Sequence, residues 1–354
     1  MWCHWGNNSW YYTVATRSRQ DMASETGETV KNRNVLALNS VLLVLLMLFT
    51  LIGNLLILLS MWRNQRLHKT THLHSVSLIF ANLIPATTII PLRVARVWWE
   101  SDGVPSDETA LCKVYLTFTL LWCVISILTL STMSLDRYIA ISRSESYATI
   151  MTKYRANALL LFVWCFAILI SFLPFYHSGS SLKLFHCNFN LLSKENYAYL
   201  LLAVEIIPLV LMFVIHYQIM KISSKHAQSI GVVDSRLTEY HRVAMDFPAE
   251  VRWSRVVILV ILLYVLLWAP RCIFLIVDSE SLSSNNVETF DVLTEISTYS
   301  FAGLVPSVLV HFNSDIREEF FRLTMPFQWF RKAHGVGKKY RRNKSTVEPF
   351  DTEM

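Results

Sequence analysis

Seven stretches of this chain are apolar over about 20 residues or more, the length a helix needs to cross the hydrocarbon core of a bilayer. They fall at about 36–62, 73–97, 113–135, 156–176, 197–220, 255–277 and 290–312. In hydrocarbon, every backbone amide and carbonyl must be satisfied within its own segment or around a closed barrel. Barrel strands alternate apolar with polar residues, whereas these runs are continuous, so each reads as a helix. The expected fold class is all-α, a seven-transmembrane helix bundle. Composition agrees: 53% of the 354 residues are hydrophobic, 16% are charged and the mean hydropathy is +0.38. That is more apolar surface than a soluble fold of this size can bury.

The formal net charge of +6 raises the question of nucleic acid, but the positive residues sit in short segments beside the apolar runs. Arg63, Arg66 and Lys69 separate the first two spans, and Arg143, Lys153 and Arg155 separate the third and fourth. Lys221, Lys225, Arg252 and Arg255 flank the connection between the fifth and sixth. The positive-inside rule makes those segments cytoplasmic, and no nucleic-acid partner is implied. The acidic segments 100–109 and 278–295 then lie outside, and Lys338, Lys339, Arg341, Arg342 and Lys344 lie inside with the C-terminal tail. Residues 1–35 form an extracellular tail, with an N-glycosylation acceptor at Asn7 in Asn7-Asn8-Ser9 and without the pattern of a removable signal peptide. The bundle occupies 36–312, and the expected site of the protein is the plasma membrane.

Beyond the seventh span, Ile316, Phe320, Phe321 and Leu323 recur at helical spacing among Arg317, Glu318, Glu319 and Arg322. Phe327, Trp329 and Phe330 follow. This predicts an amphipathic helix over 313–331 lying in the membrane interface, with lipid as its partner, and a cytoplasmic tail over 332–354. No cysteine follows it to carry a palmitoyl anchor.

The six cysteines include no CxxC pair, so neither a metal knuckle nor a thioredoxin-type redox site is suggested. Cys123, Cys165 and Cys272 lie inside apolar runs as small buried thiols. Cys112 and Cys187 lie near span ends on the outer side, where an oxidising compartment lets a disulfide persist. No nucleotide loop, metal cluster or nucleophile–base pairing is visible, which argues against an enzyme and against a metal or cofactor. A transporter lacks its usual sign as well, a repeated pair of broken helices.

Asp136-Arg137-Tyr138 closes the third span, which begins beside Cys112 and is long enough to cross a membrane at about 1.5 Å per residue. Gly53-Asn54 lies in the first span, Trp164 in the fourth, Pro208 in the fifth and Trp268-Ala269-Pro270 in the sixth. With these landmarks the chain resembles a rhodopsin-like (class A) G-protein-coupled receptor over nearly its whole membrane portion. The resemblance implies a Cys112–Cys187 disulfide pinning the second extracellular loop over a pocket. It also implies a resting contact of Arg137 with Asp136 and with Glu250, just before the sixth span. Agonist would shift the population toward a state with the sixth helix swung outward, breaking the Arg137–Glu250 pair and admitting a heterotrimeric G protein. Pro208, Pro270 and Pro306 remove backbone hydrogen bonds and mark bends.

In the outer half, polar residues are few. Thr119, Cys123 and Ser126 share a face of the third helix with Arg137, and Glu205 lies one turn before Pro208. Arg271 follows Trp268 by three, Glu295 and Tyr299 share a face of the seventh span, and Arg93 and Arg96 lie at the outer end of the second. Charges inside a membrane are costly unless paired or hydrated. Glu205, Arg271 and Glu295 therefore read either as ligand contacts or as an internal network, in a pocket bounded by Thr119, Cys123, Glu205, Trp268, Arg271, Glu295 and Tyr299.

Several positions depart from the family pattern. An amine receptor would place an aspartate where Thr119 stands, and an opsin would need a lysine where Tyr299 stands. The seventh-span Asn-Pro-x-x-Tyr reads Val305-Pro306-Ser307-Val308-Leu309, and the second-span aspartate is Asn82. With Ser126 kept but Phe301 and Val305 in place of the usual polar groups, the family's buried sodium site loses oxygen ligands and its compensating charge. His216 takes the place of the fifth-span tyrosine, with Tyr217 one residue later. Basic Arg93, Arg96, Lys113 and Arg271 favour a peptide or an anionic small molecule over an amine, an inference that Glu295 blunts. The reading is a ligand-gated receptor acting on a G protein, with arrestin as a further partner if tail residues such as Ser345 and Thr346 are phosphorylated. The alternative is a seven-helix binding protein or constitutively biased scaffold with weak ligand-driven coupling.

Overall fold

The computed structural model describes residues 9–64, 70–101, 108–172, 197–230, 238–276 and 284–324, and these are helical almost throughout. Among these residues, seven helical segments are long and apolar enough to cross a membrane: Leu36–Arg63, His72–Arg96, Lys113–Ser142, Lys153–Ser171, Ala203–Lys225, Val251–Ile273 and Phe290–Phe312. The chain is thus a multi-pass membrane protein with the expected all-α bundle. Two helices extend well beyond their spans. The first runs from Ser9 to Arg63, so the segment read as an N-terminal tail is helical from Ser9, and the sixth begins at Thr238.

The third helix, Glu108–Ser142, is the hub, packed against the second, fourth, fifth and sixth spans. In its most apolar window 67% of residues are buried, against 22% in the first and fifth spans. Lipid is as apolar as leucine, so the spans are held together by close packing and polar ties rather than by hydrophobicity. Val41, Leu45 and Ile52 of the first span and Ile207, Val210 and Phe213 of the fifth are exposed and form lipid-facing stripes.

The landmark residues make the polar ties. Asn54 donates from Nδ2 to the Thr50 carbonyl at 2.7 Å and to the Ala302 carbonyl at 3.0 Å, joining the first span to the seventh. Trp164 Nε1 donates to Ser77 Oγ at 3.0 Å, joining the fourth to the second. Gly53 faces Pro306 of the seventh span, whose Cβ and Cγ would lie 3.5 Å from an added Cβ, an ordinary contact.

The second span is not a plain α-helix. It runs as Thr70–Ala81, then a π turn over Pro85–Ile89, then Ile90–Ser101. Pro85 has no N–H to donate, and the Ile90 amide closes the widened turn onto the Pro85 carbonyl. A π turn inserts one extra residue, which rotates everything after it by about 100° relative to a continuous α-helix. Arg93, which the sequence only placed at the end of this span, is thereby buried inside the bundle.

After the seventh span a helix covers Ser314–Thr324, and residues 325–331 of the predicted amphipathic segment lie outside the described residues. Asn313 starts it by accepting the Ile316 amide on its side chain at 3.2 Å, satisfying one of the free N–H groups of the first turn. Ile316 packs into the core, and Arg322 pairs with Glu318 at 2.5 Å and Glu319 at 3.3 Å on the polar side.

Candidate functional site

Two polar centres lie at opposite ends of the third helix. The one near Arg271 is built by the seventh span, where Asp291, Glu295 and Tyr299 recur every four residues and so line one face. Asp291 spans two arginines: its Oδ1 accepts from Arg271 Nη1 at 2.5 Å and its Oδ2 from Arg93 Nη2 at 3.3 Å. Glu295 accepts from Arg93 Nε at 2.7 Å and from the Tyr115 hydroxyl at 2.9 Å. Tyr115 also shares a hydrogen bond with Tyr299 at 2.9 Å, and Arg96 lies over its ring, 5.4 Å from the centroid. Arg271 reaches Thr294 Oγ1 at 3.3 Å as well. Arg93, Arg271, Asp291 and Glu295 are all buried, and they tie the second, sixth and seventh spans together, with Tyr115 adding the third. Removing one member of such a set leaves an uncompensated buried charge, at a cost of about 3–5 kcal/mol.

A second cluster lies deeper. Glu205 accepts from the Tyr264 hydroxyl at 2.6 Å and from the Cys123 thiol, joining the fifth, sixth and third spans. Beneath the ion pairs the rings of Trp122 and Trp268 meet at 5.0 Å, and Tyr264 stacks on Trp268 at 5.2 Å. Trp122 Nε1 donates to Asn82 Oδ1 at 3.2 Å. The Thr119 hydroxyl donates back to the Tyr115 carbonyl at 2.8 Å. Trp268 Nε1 and Ser126 Oγ are buried without a hydrogen-bond partner. Among the described residues no group of His, Cys, Asp and Glu is placed to hold a metal ion.

At the other end of the third helix, Asp136 and Arg137 are 1% exposed and form an ion pair with each other. The Tyr147 hydroxyl, from the short helix Tyr147–Ile150, donates to Asp136 Oδ1 at 2.8 Å. Tyr138 packs against the apolar cluster of Ile141, Ile215 and Ile219. His216 is buried and hydrogen-bonds Ser134 at 3.1 Å, while Tyr217, one residue on, is 64% exposed toward the lipid side. The fifth span therefore presents a histidine, not a tyrosine, to the third.

Not every expectation falls on described residues. Asn7 and Cys187 lie outside them, as do the side chains of Cys112 and Glu250, although both of these residues are in helices. The Cys112–Cys187 disulfide, the Arg137–Glu250 contact and glycosylation at Asn7 stay expectations. Of the pocket residues, Arg271, Glu295 and Tyr299 belong to the ion-pair lattice, and Cys123 and Glu205 form the deeper cluster with Tyr264. Asp291, Tyr115, Tyr264 and Tyr147 were missed. Asp291 was legible, one turn before Glu295 on the same face. Tyr115 and Tyr264 were not, because an aromatic residue in an apolar run carries no sign of where its hydroxyl points, and Tyr147 lies in the polar segment between the third and fourth spans, where no pattern marks it.

A seven-helix bundle with a buried Asp–Arg pair closing its central helix defines a class of membrane receptor. Comparison with known families agrees: residues 53–308 match the model of the rhodopsin family of 7 transmembrane receptors. The chain belongs to that family, whose members are receptors rather than enzymes. Among curated proteins, it is 34% identical to the alpha-1A adrenergic receptor of Oryctolagus cuniculus over 131 residues, covering 37% of this chain and 28% of that one. It is 37% identical to the alpha-2B adrenergic receptor of Equus caballus over 134 residues, 38% of this chain and 34% of that one. The alpha-2B adrenergic receptor of Rattus norvegicus is 38% identical over 134 residues, 38% of this chain and 29% of that one. The matched region thus spans about a third of these relatives' lengths.

Proposed function

We propose that this chain is a plasma-membrane receptor with its N-terminus outside. It binds an extracellular ligand in the half of the bundle holding Arg271 and Asp291, and activates a heterotrimeric G protein through outward motion of the sixth helix. The observation that carries the reading is the Asp136–Arg137 pair, buried at the end of the hub helix and braced by Tyr147. A buried charge pair adds little net stability, so its presence there points to a switch rather than a brace. Releasing Arg137 needs only a few kcal/mol of differential ligand affinity, within reach of a population shift. Basic residues beside that end of the bundle support its placement in the cytoplasm, with arrestin as a second partner there and lipid around the Ser314–Thr324 helix.

The relatives' names point to adrenergic ligands, and two features weigh against an amine here. Thr119 stands where an amine receptor's aspartate would be, and its hydroxyl is turned to its own helix. Asp291 and Glu295 could meet a cation, but both are held by arginines. The same pairings remove the ground for expecting a simple anion, since neither Arg93 nor Arg271 lacks a carboxylate. The scaffold reading draws on Val305 and Leu309, buried and apolar where the family has its amide and tyrosine.

G-protein dissociation in cells expressing the wild type, Arg137→Ala or Glu250→Ala, with no ligand added, tests the proposal. Glu250→Ala is expected to raise basal signalling, and Arg137→Ala to leave it at or below wild type. Equal signals from all three and from untransfected cells would favour the scaffold.

A further inference from the structure

We infer that Glu205, on the fifth span, is the counter-ion for a protonated amine of the ligand. This rests on the proposal that this half of the bundle is the ligand site. Four carboxylates fall within the seven spans, Asp136, Glu205, Asp291 and Glu295. Asp136, Asp291 and Glu295 each hold an arginine. Glu205 has no such cation among the described residues: it accepts from the Tyr264 hydroxyl at 2.6 Å and from the Cys123 thiol, both neutral donors. The Tyr264 bond has the length of a hydroxyl on an ionised carboxylate, about 2.5–2.7 Å. An ionised carboxylate within a membrane span is costly until a cation meets it. An anionic ligand would add a second negative charge beside Glu205, and a neutral one would leave it as it stands. A ligand ammonium supplies the missing charge.

The surroundings of Glu205 select an organic cation over a metal ion. Tyr264 stacks on Trp268 at 5.2 Å and Trp268 meets Trp122 at 5.0 Å, so the carboxylate stands at the edge of an aromatic cluster. Ring faces attract ammonium groups, whereas a hard cation needs about six oxygen ligands. Glu205 is half-buried rather than sealed. Pro208 has no N–H, which leaves the Val204 carbonyl, next to Glu205 in the chain, without its helical donor and open to a second ammonium proton. Trp268 Nε1, on the ring that stacks against Tyr264, is a buried donor without an acceptor, a further group that a ligand between the helices would satisfy. Neither Thr119, whose hydroxyl is turned to its own helix, nor the arginine-held carboxylates would meet the amine. It would lie one turn deeper than Thr119, at the level of Cys123. Glu205 and Tyr264 tie the fifth span to the sixth, so an ammonium that takes an acceptor place from Tyr264 would loosen the helix whose motion is proposed to signal.

The test uses the full chain in lipid nanodiscs, titrated with benzylamine, 2-phenylethylamine and 3-phenylpropylamine, which step the nitrogen away from the ring. The N-acetyl form of each keeps the ring and removes the charge. Binding is read as a concentration-dependent rise in Tm. At least one amine is expected to bind, and its N-acetyl form to bind at least about tenfold more weakly. Glu205→Gln should close that gap by weakening the amine and not its N-acetyl form. Tyr264→Phe frees an acceptor place on Glu205 and should tighten the amine alone; it decides the role of Glu205 if Glu205→Gln fails to fold. Equal binding of an amine and its N-acetyl form, an amine affinity that neither variant changes, or binding by none of the three amines overturns the inference. Basal signalling of Glu250→Ala needs no ligand. A rise there without amine binding sinks only the ligand class, whereas amine binding without that rise sinks the switch.

Discussion

Two glycines show how differently one residue type behaves in the same bundle. An added Cβ on Gly53 would meet Pro306 at 3.5 Å, an ordinary contact. Gly53→Ala should then be neutral or up to about 1 kcal/mol stabilising, the helix-propensity difference. At Gly303 the same atom would lie 3.0 Å from both Phe49 Cδ1 and Thr50 Oγ1. Phe49 is half-exposed and can swing into lipid, but Thr50 is fully buried and has nowhere to go. Gly303→Val is expected to cost about 1–3 kcal/mol by overpacking, seen as a lower melting temperature of the purified protein. A melting temperature equal to wild type would show the first and seventh spans to be less closely packed than they stand here. At this scale the sequence carried part of the site. Arg271, Glu205 and Glu295 announce themselves because charge within an apolar run is rare, whereas Tyr115 and Tyr264 enter the site through the carboxylates their hydroxyls reach.

The π turn at Pro85–Ile89 is the element on which the candidate site most depends, since it turns Arg93 toward Glu295 and Asp291. Pro85→Ala restores the missing N–H and favours a continuous α-helix, which would carry Arg93 away by about 100°. The variant should melt below wild type despite its better helix former, because two carboxylates lose a partner. In that background Glu295→Gln should cost less than in the wild type, a coupling that a double-mutant cycle measures. A Pro85→Ala protein that is more stable, with an unchanged Glu295→Gln penalty, would show that the lattice sets the turn rather than the reverse. The helices themselves were legible because continuous apolar length is nearly unambiguous in a membrane. The π turn was not: a proline in a span equally permits a kink, a bulge or a tolerated break.

For the whole molecule, the seven spans found among the described residues would place the two ends of the chain on opposite sides of the membrane, and the orientation proposed above follows the loop charges. An N-terminal tag should be stained by antibody on intact cells, and a C-terminal tag only after permeabilisation. Glycosidase should shift the wild-type band and leave Asn7→Gln unmoved. Staining of the C-terminal tag on intact cells would reverse the orientation and with it the assignment of ligand and effector ends. By itself the sequence determined the fold class, the number of spans and the position of the Asp136-Arg137-Tyr138 end, since these follow from apolar length and from rare polar residues in hydrocarbon, properties local to each segment. The tertiary structure alone decided that Arg93 faces inward, that Arg93 pairs with Asp291 and Glu295 and Arg271 with Asp291, and that His216 rather than Tyr217 meets the third helix. Each of those depends on how one helix is rotated against another. That rotation is set by a widened turn or a partner several spans away in the chain, and leaves no mark in the local pattern of residues.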